Sequence, residues 1–215
     1  MIQSIAVLAN GPSLPKYWSD DLKANYDLVI GVNTASWKFE VDIWALLDPA
    51  VAELRPPDAP PWPKRIATFP QFLETAKKWI PAGVERIDMP WYNRDSKHLP
   101  KGLCRQHGVR NCNFTFACSL GLVGILSQGG AVDIFGMDIT TDMDFAGKWG
   151  DRTAERWKKE LPWIAHAWQP HWQLHGDASE PIRNFLYGST PFSDIVQLLE
   201  TYKGGQTTRR LKIVN

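Results

Sequence analysis

Four short segments of the 215-residue chain carry residue types and spacings that could do chemistry. The first is Asn10-Gly11-Pro12-Ser13, directly after the apolar run Ile5 to Ala9. Gly11 lets the backbone approach a ligand, and Pro12 stiffens the turn where no donor is needed, so Ser13 and nearby amides can face an anion. A helix starting just beyond would add positive potential. The segment therefore reads as a loop for a nucleotide phosphate, although it lacks the lysine of a Walker loop. The blander alternative is a turn in which Ser13 caps the helix.

The other three segments follow other apolar runs. Asn33 comes after Gly31-Val32, and its carboxamide can donate to and accept from a ribose or a base edge. Asp48 comes after Ile43 to Leu47, where a carboxylate can accept from sugar hydroxyls or position an attacking group; an Asp-Pro turn is the alternative. Gly136-Met137-Asp138 closes the run Val132 to Phe135, with Gly136 suited to close backbone approach and Asp138 projecting beside a nucleotide. Asp142 and Asp144 follow, but the three carboxylates match only part of a calcium loop, so no metal site is assigned.

The elements that must position these residues are visible as periodicity. Buried strands are expected at Ser4 to Ala9, Leu28 to Val32, Ile43 to Leu47, Arg65 to Thr68, Val84 to Asp88, Val132 to Phe135 and Ile182 to Leu186. Helical stretches are expected at Tyr17 to Ala24, Phe69 to Trp79, Thr115 to Ser127, Arg152 to Trp168 and Phe192 to Tyr202. This alternation predicts an α/β, Rossmann-like, doubly wound and mostly parallel sheet in a single domain over residues 1–215, with a long loop at 89–113 and a basic tail at 204–215. In such a sheet ligands sit outside the carboxyl ends of the strands. Asn10 to Ser13, Asn33, Asp48, Gly136 to Asp138 and, more loosely, Gly188-Ser189-Thr190 are expected to converge there.

Composition narrows the function classes. With 24 basic and 23 acidic residues there is no global field for nucleic acid or an anionic surface, and the tail at Arg209-Arg210 is too small to imply one. Cys104, Cys112 and Cys118 lack paired metal spacing and are odd in number, which fits a reducing cytoplasm. The first residues read as a strand, not as a signal peptide or membrane anchor. The proline-rich stretch Arg55 to Pro63 reads as a stiff surface connection.

Taken in order, Asn-Gly-Pro-Ser after strand one, Val-Asn ending strand two, Asp-Pro ending strand three and a late Ile-Phe-Gly-Met-Asp resemble a superfamily. It joins the bacterial sialyltransferases of glycosyltransferase family forty-two with the archaeal hydroxymethylpterin pyrophosphokinases. The resemblance implies a Rossmann-like fold. It also implies a cytidine-monophosphate-type donor held by Asn10, Gly11, Pro12, Ser13, Asn33, Gly136, Met137 and Asp138, with Thr115 or Ser119 touching it at the start of a later helix. The sialyltransferases place a catalytic histidine in the later half of the chain, which implies His171 or His175 here; an imidazole titrates near neutrality and suits proton transfer from an acceptor hydroxyl.

The expectation is a glycosyltransferase moving a sugar from an activated nucleotide to a hydroxyl acceptor, with His171, His175 or Asp48 as base. One alternative is an ATP-dependent pyrophosphokinase of the hydroxymethylpterin type, for which Mg2+ would be needed. Another is a nucleotide-binding module without catalysis. The chain departs from the sialyltransferases in having Ala9 where they have Gly and in lacking their tyrosines after Asp138.

Overall fold

The computed structural model describes residues 2–69, 72, 78–89, 115–139 and 154–201. Seven strands form one sheet: β1 (Ser4–Leu8), β2 (Leu28–Val32), β3 (Ile43–Ala45), β4 (Arg65–Thr68), β5 (Glu85–Asp88), β6 (Ala131–Phe135) and β7 (Gln173–His175). Their order is β5-β4-β3-β2-β1-β6-β7, and every neighbouring pair is parallel. This is the Rossmann-like α/β arrangement that the alternation predicts, and it is wholly parallel. Central strands of such a sheet are buried on both faces, which is why β1, β2 and β3 are near-continuous apolar runs.

The two faces are covered differently. Ile5, Val7, Ile30, Ile43, Val132, Ile134 and Leu174 face a core built with α3 (Thr115–Ser127), α4 (Ala154–Ala167) and α6 (Phe192–Glu200), and with α5 (Glu180–Leu186) through Ile182. On the other face Ala6, Leu8, Val29, Trp44, Ile66 and Phe135 pack beneath short pieces. These are α1 (Leu14–Tyr17), 3-10 turns at Asp20–Asn25 and Asn33–Trp37, and α2 (Pro49–Glu53). The connection leaving β1 therefore lies on the second face and the helix α4 after β6 on the first. Adjacent strands whose chains depart to opposite faces make a topological switch point, the crevice where this fold class binds ligands.

Three expectations are corrected. Ile182 to Leu186 is helical, because Ser179 precedes Glu180-Pro181, with proline in the first turn where its missing amide costs nothing. Gly188-Ser189-Thr190 follows that helix and is not a strand end. Tyr17 to Ala24 is not one helix: α1 ends at Tyr17, extended Trp18 and Ser19 intervene, and a 3-10 turn begins at Asp20. The edge strand β7 is an element the apolar pattern does not show, since Gln173-Leu174-His175 has a single apolar residue. The long loop at 89–113 beyond Met89, most of Phe69 to Trp79 and the tail at 204–215 lie outside the described residues.

Arg55 to Pro63 contains no strand and no helix. The Arg55 guanidinium lies over the Trp62 ring at 4.7 Å, and Trp62 packs on Trp44 with ring centroids 5.3 Å apart. At the amino edge a cleft of about 330 Å³ lies between Lys23, Asp42, Trp62 and Arg65. Among the described residues no helix is long and apolar enough to cross a membrane.

Candidate functional site

The loops after β1 and β6 continue the strand pairing beyond the sheet. Ala9 N donates to Phe135 O at 2.8 Å and Gly11 N to Gly136 O at 2.9 Å. A Cβ on Gly11 would overlap that Gly136 oxygen and stand 2.5 Å from Asp138 Oδ2, while one on Gly136 would stand 2.6 Å from Leu14 Cβ. Both glycines are thus required by the approach of the two loops to each other. This interlocking alone accounts for a glycine at each of the two positions.

Asp138 closes the crevice. Its carboxylate, in a residue only 6% exposed, accepts from Ser13 N at 2.7 Å, from Ser13 Oγ, and from Asp177 N at 2.9 Å. Ser13 stands at the N-cap position of α1, yet its side chain makes no capping bond. Its amide and hydroxyl, expected to face a phosphate, instead face a carboxylate of the same chain. The helix beyond is a single turn of four residues, too short to carry the dipole expected of it.

Left-handed backbone gathers at this rim. Gly136 has φ +69°, Ile139 has φ +52° and Asn33 has φ +50°. Ile139 is the unusual one, because a β-branched residue pays most for that conformation. Strain of this kind persists where the surroundings over-determine it, and such places cluster at ligand sites. Asn33 adds a second signal. Its backbone oxygen accepts from Trp44 Nε1 at 2.7 Å, while its side-chain Oδ1 is buried with no hydrogen-bond partner.

The remaining expected residues divide by strand polarity. Asp48 ends the β3 segment at the carboxyl edge, exposed, with Oδ1 accepting from Ala50 N at 2.9 Å as the cap of α2. Thr115 opens α3, which runs back across the sheet to β6 and so starts at the carboxyl edge. Ser119 is buried one turn on, its hydroxyl donating to Thr115 O at 2.6 Å. Asn10 and Met137 are buried, and Pro12 is exposed. His171 precedes β7 and therefore lies at the amino edge, on the far side of the sheet from Ser13. His175 ends β7 at the carboxyl edge, beside the Gly176-Asp177 segment that holds Asp138.

No family model matches this chain, and no curated protein or solved structure shows significant similarity to it.

Several groups around the crevice have no periodic or motif signal in the sequence. On α1, Lys16 Nζ and Tyr17 Oη reach Asp177 Oδ1 at 2.9 and 2.7 Å. These hydrogen bonds, from Tyr17 and then Lys16, hold the Asp177 carboxyl below the usual carboxylate range, and the bond to Asp177 raises the Lys16 ammonium. Arg183 donates to the carbonyls of Ala178, Leu174 and Gly176, pinning the loop that presents Asp177 N. On the second face Asp133 joins Tyr26 and His175.

Arg156 sits on α4 with Nε 3.9 Å from Glu160 Oε2, an i,i+4 pair on a helix face. The segment Lys148 to Arg152, Asp142 and Asp144 lie outside the described residues. Among the described residues no group of three or more His, Cys, Asp or Glu could hold a metal ion. Asp138 itself faces three hydrogen donors of this chain, the Ser13 amide and hydroxyl and the Asp177 amide.

Proposed function

We propose that the chain is a nucleotide-sugar-dependent glycosyltransferase, similar to sialyltransferases, whose donor lies across the rim at the β1/β6 switch point. The observation that carries this reading is the convergence of Asn10, Ser13, Asn33 and Asp138 on that rim, with Asn33 Oδ1 buried and unsatisfied. A buried acceptor without a donor costs about 1 to 3 kcal/mol. A ribose hydroxyl or an exocyclic amine of a cytosine-type base would satisfy it once the carboxamide turns outward from its buried position.

Because Ser13 is engaged by Asp138, the donor phosphate is assigned to Lys16. Its partner Asp177 is half exposed, and an exposed ion pair of this kind contributes little. A phosphate can take that place at small cost. His175, at the same edge, is the base for the acceptor hydroxyl, and His171 is set aside because it stands at the opposite edge. Donor hydrolysis across nucleoside mono-, di- and triphosphates and nucleotide sugars tests the reading, alongside thermal denaturation. Turnover of a nucleotide sugar and a rise in Tm are expected, since a ligand at 100 times its Kd stabilises by about 2.7 kcal/mol. A panel with neither turnover nor shift removes the proposal.

A further inference from the structure

We propose that Asp133, steadied by a hydrogen bond from Tyr26, is the positioning residue that fixes His175 in one tautomer, leaving Nδ1 as the proton-accepting atom. Asp133 Oδ1 lies 2.7 Å from His175 Nε2, and Tyr26 Oη donates to Asp133 Oδ2 at 3.0 Å. An ionised carboxylate only accepts, so the nitrogen facing it carries the hydrogen and the lone pair of the neutral ring stays on Nδ1. The ring plane is set independently. His175 stacks on Phe135 with centroids 4.6 Å apart and planes at 14°, and Phe135 is itself held edge-on by Trp18 and Tyr26.

Exposure points the same way: the His175 side chain is 37% exposed against 21% for Asp133, so the relay is covered at its carboxylate and open at its imidazole. Tyr26 keeps its proton, because burial and then the Asp133 charge push its phenol well above the usual value. It remains a donor to the carboxylate throughout the neutral range.

The identity of the proton rests on the glycosyltransferase reading; the tautomer does not. In the transfer step a lone pair of the acceptor oxygen forms the bond to the sugar carbon. The bond from that carbon to the nucleotide phosphate breaks, its electron pair leaving on the phosphate oxygen, and the acceptor proton passes to Nδ1. The imidazolium keeps its Nε2 hydrogen on Asp133, which stabilises the new charge.

Long-range proton–nitrogen NMR on the full chain, labelled at histidine and assigned by His175→Gln, reads the tautomer directly. The expected result is a dominant Nε2-protonated form in the unsubstituted protein, retained in Tyr26→Phe and lost in Asp133→Asn. With a nucleotide sugar found to turn over, Asp133→Asn should lower kcat at least about tenfold with KM little changed. A mixed or Nδ1-protonated His175 in the unsubstituted protein overturns the relay, as does Asp133→Asn leaving the tautomer unchanged; a blank donor panel overturns only the transferase reading.

Discussion

Ser13 and Asp138, 125 residues apart in the chain, are joined twice through one carboxylate, by the Ser13 amide at 2.7 Å and by its hydroxyl. With Asp177 N as third donor, that carboxylate ties together the loops after β1, β6 and β7. Asp138→Ala should therefore lose about 3 kcal/mol, because it strands the buried Ser13 amide and the part-buried Asp177 amide. Ser13→Ala should lose only about 1 kcal/mol, since the amide contact survives. Urea denaturation measures both, and equal losses would contradict the arrangement.

The interlocked glycines give a second comparison. Gly11→Ala places a methyl against the Gly136 carbonyl and the Asp138 carboxylate, and a loss of about 3 kcal/mol or failure to fold is expected. Gly83, unlike Gly11, has a left-handed backbone, at φ +89°, with nothing within 4 Å of an added Cβ. Gly83→Ala should cost only the conformational term, about 1 to 2 kcal/mol. Thermal melts of the two variants side by side decide the matter; the larger loss at Gly83 would mean the loops are not in contact.

Asn33 separates strain from ligand recognition. Asn33→Gly keeps the left-handed backbone at ease and removes the unsatisfied Oδ1, so the free protein should be as stable or slightly more so. The same change should reduce the Tm shift produced by a cytidine nucleotide. A full shift in Asn33→Gly would show that its carboxamide does not touch the ligand.

Asp27 contributes to the acid limb of stability. Its Oδ2 accepts from Gln3 N and Ser4 N at 2.7 and 3.1 Å, and these bonds hold its carboxyl below the usual carboxylate range. A depressed folded value means the contribution is complete above the unfolded pKa, about 3.9, and is lost as pH falls through the folded value. Asp27→Asn should flatten the decline of stability below about pH 4. Denaturation midpoints measured from pH 6 to pH 2 test this, and parallel curves for both proteins would refute it.

The sheet was legible because a parallel sheet makes its central strands apolar at every position, and Leu28–Val32 and Arg65–Thr68 are bounded as the runs suggest. Edge strand β7 escaped the same rule: with one neighbour and an open face, Gln173 and His175 need not be apolar. Ile182 to Leu186 misled because a short apolar run is silent about period, and the helix start at Glu180-Pro181 carries the deciding signal. At the rim, the ends of the apolar runs placed Asn10, Ser13, Asn33 and Asp138 just beyond their strands. What they face is a property of pairing between distant strands, and neither the Ser13 contact with Asp138 nor the relay through Asp133 has a local pattern to betray it.

The position of β1 between β2 and β6 has a consequence for biosynthesis. When the ribosome has made β1 to β5, the flank of β1 that will receive β6 is still bare, and it stays so until residues 131–135 emerge. A nascent half-sheet with an open apolar margin is sticky and slow to finish, since its closing partner lies more than a hundred residues downstream. The β1–β6 pairing at the centre of the sheet is therefore completed late in synthesis, only after residues 131–135 have emerged.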